Sequence, residues 1–261
     1  MKNTYKANPA GFTLIEISIV LVIIALIMGG IVVGRSLIRS AQLNSVISDV
    51  AKYTQAINDF RDKYHALPGD FKGAEAIWGS DSNCPNTTYT AMPHTATCDG
   101  NGDGHIGDAS GNTPAEWFRA WQQLANAGVI EGGYNGIAGT GSNVNAVPGV
   151  NVPASKISGA GYTVYYSFLP NGSATNWPTV GHVIMFGTVY PDAFTYGNAV
   201  TPAETRMIDS KIDDGLPAYG RVTVGKSPAH PNCTTSDTAS LSTYNTSYQG
   251  NACSVIFNLN L

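Results

Sequence analysis

The chain has 261 residues, of which 43% are hydrophobic and 12% charged, and its formal net charge at pH 7 is −4. No basic patch is visible, which argues against a protein that binds duplex DNA. The 29 glycines, 14 prolines and 4 cysteines are typical of a loop-rich extracytoplasmic domain. Enzyme motifs are absent from the sequence, and the 5 histidines are scattered along it, so we predict that the chain is not an enzyme.

The first predicted element is an apolar helix close to the N-terminus. The segment from Phe12 to Val33 has 22 residues, and Glu16 is the only charged one. A helix of that length spans roughly 33 Å, about the thickness of the hydrocarbon core of a bilayer. A lone carboxylate at mid-bilayer costs on the order of 2.5–3.5 kcal/mol. The segment therefore predicts a membrane-spanning helix in which Glu16 needs a partner.

Helical periodicity continues beyond the apolar segment. Apolar residues recur there at spacings typical of one helix face: Leu43, Val46, Ile47, Val50, Ile57, Phe60 and Tyr64. The sequence around Pro68 ends this pattern, because the residue before a proline avoids the helical region. The pattern predicts one long helix over 12–64 whose second half is amphipathic and packs on a domain. Gly29, Gly30 and Gly34 suit either close helix packing or local unwinding during assembly.

Two later helices have the same start sequence. Thr-Pro-Ala-Glu occurs at 113–116 and at 201–204, where threonine fits the N-cap, proline the first helical position and glutamate a capping box. Gly128 and Gly215 are the predicted stops. Residues 131–161, rich in glycine and without periodicity, are predicted to form a long surface excursion.

Four strands are predicted between and after these helices. They are Tyr162–Leu169, His182–Val189, Arg221–Val224 and Ser254–Leu259. The first two alternate well, with one apolar face formed by Tyr162, Val164, Tyr166 and Phe168 and another by Val183, Met185 and Val189. We expect an α+β fold in which a small antiparallel sheet packs against the first helix.

The start of the apolar helix resembles the N-terminal segment of type IV pilins and pseudopilins. In that family a peptidase cuts after a glycine and before a phenylalanine, and Gly11 and Phe12 hold those positions here. Glu16 is then the fifth residue of the mature chain. The resemblance implies the pilin-like lollipop fold with four parts: a leader at 1–11, a transmembrane and filament-core helix half at 12–34, an amphipathic helix half at 35–64, and a globular extracytoplasmic head at 65–261.

The resemblance also implies a function as a structural filament subunit. Prepilin peptidase would cleave after Gly11 and methylate the amine of Phe12. The inner membrane would hold the chain as a single-pass protein with a periplasmic head. An inner-membrane assembly platform would then add it to copies of itself or other pilins in a helical filament, extracellular for a pilus or periplasmic for a pseudopilus. The Glu16 carboxylate could pair with the Phe12 amine of a neighbouring subunit.

Two alternatives to this function stay open. The first is a pseudopilin of a type II secretion system, which shares the processing steps. The second is a membrane-tethered calcium-binding or adhesive domain that does not polymerise, which would lack the cut after Gly11.

The segment 99–106 is a candidate calcium loop. Oxygen-bearing side chains at alternate positions and a glycine at position 6 match the first half of an EF-hand loop. Position 12 carries Ser110 instead of a carboxylate, so Asp108 or Glu116 would have to substitute, and Glu116 is also needed by the capping box at 113–116. The candidate ligands are Asp99, Asn101, Asp103, the carbonyl of His105, and Asp108. Calcium loops occur in pseudopilins, which this chain resembles, but a glycine-rich turn without metal is the alternative.

The cysteines fall into two pairs along the sequence, Cys84 with Cys98 and Cys233 with Cys253. Four cysteines allow three connectivities, and closeness in sequence favours these pairs. Each disulfide would contribute roughly 3 kcal/mol on the chain-entropy model. A zinc site is disfavoured because no pair has the short ligand spacing of structural zinc sites.

Asp213 and Asp214 lie at the predicted C-terminal end of the helix that begins at 201–204. Their negative charges oppose the dipole of that helix. Such a placement needs a cation. Lys211, Arg221 or bound calcium could supply it, and a solvated helix end with a salt bridge is the simplest interpretation.

Overall fold

The computed structural model describes residues 12–81, 84, 96–107, 114–137, 146–169, 179–190, 194–224, 230–236 and 238–261. Its helices and strands are α1 (Leu14–Tyr64), α2 (Ala74–Trp78), α3 (Pro114–Asn126), β1 (Ala160–Leu169), β2 (Thr179–Thr188), α4 (Pro202–Ile212), β3 (Val222–Val224), a 3₁₀ turn (Ala239–Leu241) and β4 (Val255–Asn258). The chain divides into two compact units between Gln42 and Leu43, and each unit is described by itself.

In the first unit, α1 is apolar on all sides as far as Val33, apart from Glu16, and this stretch is exposed. Its most apolar window of 18 residues has a mean hydropathy of 3.0 and is 0% buried. Within the described part of the chain, α1 is the one helix long and apolar enough to cross a membrane. The helix continues without a break through Gly29, Gly30 and Gly34, and apart from the helix's own backbone no atom of the described residues lies within 4 Å of where their side chains would start. These glycines therefore leave an open surface on which another helix could pack closely.

In the second unit, one face of α1 is buried. Its members are Leu43, Val46, Val50, Tyr53, Ala56, Ile57 and Phe60. This confirms the predicted amphipathic half of the helix. The helix ends where His65 takes a left-handed conformation, with φ of 53°, and its amide donates to the carbonyl of Arg61 at 2.8 Å. Pro68 follows, as the sequence predicts.

The sheet is antiparallel throughout and has the strand order β1-β2-β4-β3. The side chain of Tyr162 on β1 packs edge-on against Tyr53 of α1, with ring centroids 5.2 Å apart. Its hydroxyl donates to Asp49 Oδ2 at 3.0 Å. The sheet therefore packs on the amphipathic part of α1, which confirms the predicted α+β fold.

Both faces of the sheet are covered, so the alternation in the sequence shows only part of the core. Tyr162 and Val164 face the main core, as predicted, whereas Tyr165, Val183, Met185 and Ile256 form a second buried cluster on the other face. The ring of Phe194 stacks on Tyr165 at 4.9 Å and helps to cover that cluster. Val189 lies one residue beyond β2 and is 40% exposed, which corrects its predicted place on this face. The side chain of Phe168 lies outside the described part of the chain.

The segment 131–161 is not a surface excursion, which corrects the prediction. Several of its described residues are buried: Tyr134, Ile137, Ala146, Val152 and Ile157. The Asn151 side chain, itself fully buried, donates to the carbonyl of Ile137 at 2.9 Å and accepts from the amide of Val147. Irregular backbone can be buried here because such side-chain bonds satisfy its polar groups. Its apolar residues have no regular period, so the sequence pattern did not reveal them.

Two disulfides cross-link the head, and both join the cysteines that were predicted to pair because they are close in sequence. Cys84 is bonded to Cys98 and Cys233 to Cys253, with Cα–Cα distances of 5.5 and 5.1 Å. Both cysteines of the second pair are fully buried and belong to the same hydrophobic core as the sheet.

The capping box predicted at 201–204 is confirmed. The Glu204 amide donates to Thr201 Oγ1 at 3.2 Å, and the Thr201 amide donates to Glu204 Oε2 at 2.9 Å. The equivalent box at 113–116 cannot be compared in the same way, since Thr113 lies outside the described residues.

Candidate functional site

The carboxylate of Glu16 turns back towards the residue that precedes α1. Glu16 Oε2 accepts hydrogen bonds from the amide and the hydroxyl of Thr13, at 2.7 and 2.8 Å. In return, the amide of Glu16 donates to Thr13 Oγ1 at 3.3 Å. This reciprocal arrangement is a capping box, and it places a negative charge at the positive end of the helix dipole. Within its own chain, Glu16 is therefore a helix cap.

The residues next to this cap are those of the predicted cleavage site. Phe12 directly precedes Thr13 and is 84% exposed. Gly11 lies outside the described residues. An amine created at Phe12 would therefore lie one residue from the cap and two residues from the start of α1. The spacing Thr-x-x-Glu in 13–16 is the sequence signal for this cap, which was not among the sequence-based predictions.

A second polar constellation surrounds the predicted calcium loop. Two carboxylates from outside the loop each accept from two amides that lie in the loop or directly after it. Asp70 accepts from the amides of Asp103 and Gly104 at 3.0 and 2.9 Å. Glu116, in the first turn of α3, accepts from the amides of Asn101 and Gly107 at 3.1 and 2.7 Å. The loop conformation is thus held by carboxylates that are remote in sequence.

The predicted calcium ligands have other partners in this arrangement. The Asp99 carboxylate accepts from the amide of Glu75 at 2.8 Å, in the first turn of α2. Asn101 Oδ1 and Asp103 Oδ1 each accept from the amide two residues further on. Asn101 Nδ2 also donates to Asp103 Oδ2 at 3.0 Å, so these two side chains lie together. Asp108 and Ser110 lie outside the described residues.

Several carboxylates lie close together around this loop, and their burial and mutual repulsion determine its electrostatics. Burial raises the pKa of Glu116 to about 7, and the charges of Asp70 and Asp103 add to the rise while its two amide bonds oppose it. Burial also raises the pKa of Asp70. Beside the loop, His182 Nε2 accepts from the amide of Ile106 at 3.2 Å, and burial lowers the pKa of His182 to about 4. A neutral ring is therefore the form that supports the loop.

The exposed apolar helix, with one capped carboxylate at its start and an α+β head in the same chain, fits the class of proteins that are anchored in a membrane near the N-terminus. Residues 6–32 match the family model of the prokaryotic N-terminal methylation motif. The chain therefore carries the N-terminal signal of type IV prepilins, and the resemblance seen in the sequence is confirmed. This motif supports a precursor of the type IV pilin-like or pseudopilin class. No curated protein and no solved structure matches the chain.

Proposed function

We propose that the chain is a structural subunit of a type IV pilus-like filament, cleaved after Gly11 by prepilin peptidase and assembled from the inner membrane. The observation that carries this proposal is the methylation motif at 6–32, which coincides with the exposed apolar start of α1. Cleavage leaves a new amine at Phe12, which the same enzyme methylates. The prediction that the chain is not an enzyme is part of this proposal.

The Thr13 cap suggests how Glu16 takes part in assembly. Both bonds from Thr13 go to Oε2 of Glu16, so Oε1 is not used by the cap. In the filament, Oε1 accepts from the positive amine of Phe12 on a neighbouring subunit. The pair brings a positive and a negative charge together in an apolar surrounding, where each alone would be costly.

This ion pair supplies a driving force for assembly that apolar packing alone does not provide. The side chains along the start of α1 are exposed and face lipid before assembly. Lipid tails and neighbouring apolar helices solvate such side chains about equally well, so hydrophobic burial favours neither state strongly. The pair between Phe12 and Glu16 therefore sets the register, and close packing at Gly29 and Gly30 adds to the stability of the assembly.

A pseudopilin of a type II secretion system is the alternative, because the same N-terminal motif serves both classes of precursor. Both proposals share the peptidase, the inner-membrane platform and a filament of copies of this chain or related pilins. Long filaments outside the cell support the pilin, and short periplasmic assemblies support the pseudopilin. A membrane-tethered domain that never polymerises would form neither.

We also propose calcium as a ligand of the loop around Asp103. Gly104 occupies the sixth position of the motif with φ of 87°, a conformation that suits glycine. Asn101 and Asp103 already lie together, and the carbonyl of His105 is the next candidate in the motif. Asp99 fits less well, because its carboxylate is used at the start of α2. Calcium there would supply positive charge to a crowded group of carboxylates.

Filaments sheared from cells test the proposed function. We expect the wild-type chain in the sheared fraction, detected with an antibody against the head and seen along filaments by immunogold microscopy. Gly11→Val should leave the chain in the membrane, since the peptidase requires a small residue there. Gly11→Ala, the matched control, should be processed and assembled. A chain that never leaves the membrane fraction and forms no periplasmic assembly would refute the filament proposal.

A further inference from the structure

Three carboxylates converge where α4 ends. Asp209 lies in the last turns of α4, Asp213 is its C-cap, and Asp214 follows. One oxygen atom from each lies within 4.8 Å of the others, and no other group of three potential metal ligands among histidines, cysteines and acidic residues does so in the described ranges. Acidic clusters at a surface are common, so the hydrogen-bond partners of each oxygen decide whether this cluster can bind a metal ion.

Asp209 is the informative member because it is fully buried. Its Oδ2 accepts from the hydroxyl of Tyr244 at 2.8 Å. Its Oδ1 is buried as well and, among the described residues, has no hydrogen-bond partner of good geometry. The amide of Gly215 lies near enough to the carboxyl to favour its charged form. A buried carboxylate oxygen without a well-placed partner is costly, and a cation at Oδ1 would offset that cost.

The other two carboxylates are fixed by backbone amides. Asp213 Oδ2 accepts from the amides of Arg221 and Val222, at the start of β3. Asp214 Oδ1 accepts from the amide of Leu216 at 2.8 Å. These bonds hold both side chains beside Asp209 without neutralising their charge.

No cation from the described part of the chain balances this group. The ion pairs Lys52–Glu131, His105–Asp103 and Arg119–Asp81 in the described ranges do not involve these three carboxylates. Lys211, one of the predicted sources of charge, instead donates to Asn44 Oδ1 at 2.7 Å. The C-terminal end of α4 adds partial negative charge. Burial and the charges of Asp213 and Asp214 together raise the pKa of Asp209 to about 6.

We propose that Asp209, Asp213 and Asp214 bind a calcium ion through their carboxylate oxygens. An all-oxygen donor set selects a hard divalent cation, and calcium–oxygen distances of about 2.3–2.6 Å place ligands on opposite sides of the ion about 5 Å apart. The observed separation within 4.8 Å fits that span. Asp213 is half-buried and Asp214 exposed, so water can complete the coordination. The ion would tie the end of α4 to the start of β3.

This site is independent of the filament proposal and of the loop around Asp103. The test therefore uses the full chain in detergent micelles with Asp103→Asn throughout, which removes the other candidate calcium site. Calcium chloride is titrated by calorimetry, and magnesium chloride is titrated separately. We expect saturable calcium binding and weaker magnesium binding. Asp214→Asn in this background should weaken calcium binding on the order of tenfold or more, because one charged ligand is lost.

Two further variants keep the test specific. Asp62→Asn, at an exposed position of α1, is the matched control and should leave calcium affinity unchanged. Asp209→Asn keeps an acceptor for Tyr244 and removes the buried charge, so the melting temperature without calcium should not fall. In the Asp103→Asn background, calcium should then no longer raise the melting temperature of the Asp209→Asn variant. Absence of saturable calcium binding in the Asp103→Asn chain, or unchanged affinity with Asp214→Asn, would overturn the proposal.

Discussion

Glu16 and Thr13 close the first turn of α1 on each other, with Glu16 Oε2 2.7 Å from the amide nitrogen of Thr13 and Thr13 Oγ1 3.3 Å from that of Glu16. A carboxylate within an apolar segment thus has a partner before any other subunit is present. The cap lowers the cost of holding Glu16 at the membrane interface. It also fixes the carboxylate close to Phe12, where the proposed cleavage would create an amine. In our account, assembly adds the charge pair to this cap.

Replacing Glu16 separates these two roles. Glu16→Leu removes both the cap and the charge, and it should still insert and be cleaved because loss of a charge favours the membrane state. Filament yield, measured as the head antigen in the sheared fraction, should fall to near background. Glu16→Gln keeps an oxygen that can accept from Thr13 but has no charge, and it should fail in the same way. Normal assembly of the Gln variant would contradict the charge-pair mechanism and assign Glu16 a role in capping alone.

Stability should depend on pH through His230. The ring is 3% exposed, and burial lowers its pKa to about 4 from an ordinary value of 6.5. Between these values the unfolded chain binds a proton that the folded chain does not, so the free energy of unfolding falls as pH drops from 6.5 to 4. The full effect is roughly 3 kcal/mol. His230→Gln should flatten the profile of melting temperature against pH in that interval.

The contribution of His230 is identified by comparing the wild-type protein with the His230→Gln variant. His182 titrates in the same interval for the same reason, so the wild-type profile alone does not identify the group. Subtracting the His230→Gln profile from that of the wild type isolates His230. Parallel profiles between pH 4 and 6.5 would show that His230 contributes nothing to acid unfolding.

The three longer helices and the four strands could be predicted because each repeats a local pattern, whereas the short α2 and the 3₁₀ turn were not predicted. The stripe from Leu43 to Phe60 has helical spacing, and the start of α4 has a complete capping box. The boundaries of β2 and of the helix ends differed by only a few residues. Periodicity was sufficient here because the buried faces follow the period of the backbone.

The candidate sites could not be predicted to the same extent, because their partners are remote in sequence. Asp70 binds amides more than thirty residues away at Asp103 and Gly104. Tyr244 reaches Asp209 across 35 positions. No local pattern reports such contacts. The sequence did mark Asp213 and Asp214 as needing a cation, but it did not identify the buried Asp209 that completes the group.

The second disulfide should be important for stability. Cys233 and Cys253 are fully buried, and their bond closes a loop of 20 positions. Replacing both with alanine should lower the free energy of unfolding by roughly 3 kcal/mol, because the unfolded chain gains conformational freedom. Denaturant unfolding of the full chain in micelles measures this. A double-alanine variant of Cys84 and Cys98 is the matched comparison, and an unchanged midpoint for the Cys233 and Cys253 variant would refute the prediction.

Calcium should stabilise the folded chain through the loop around Asp103, in addition to the site at the end of α4. In a background of Asp214→Asn, millimolar calcium should still raise the melting temperature, because a ligand that binds only the folded state stabilises it. The missing carboxylate at Ser110 predicts weak affinity, about 10⁻⁴–10⁻³ M. Asp103→Ala should remove the remaining rise and change the calcium-free melting temperature only slightly, since Asp103 is exposed. A rise that survives Asp103→Ala would exclude this loop as its source.

The mass of the protein isolated from membranes is the most direct test of cleavage after Gly11 and methylation of Phe12. Intact-mass and N-terminal peptide spectrometry should find a chain that begins at Phe12 and carries one methyl group on its amine. The Gly11→Val variant from the same cells should retain residues 1–11 and lack the methyl group. A wild-type chain that retains residues before Phe12, or a Gly11→Val chain that begins at Phe12, would contradict the account.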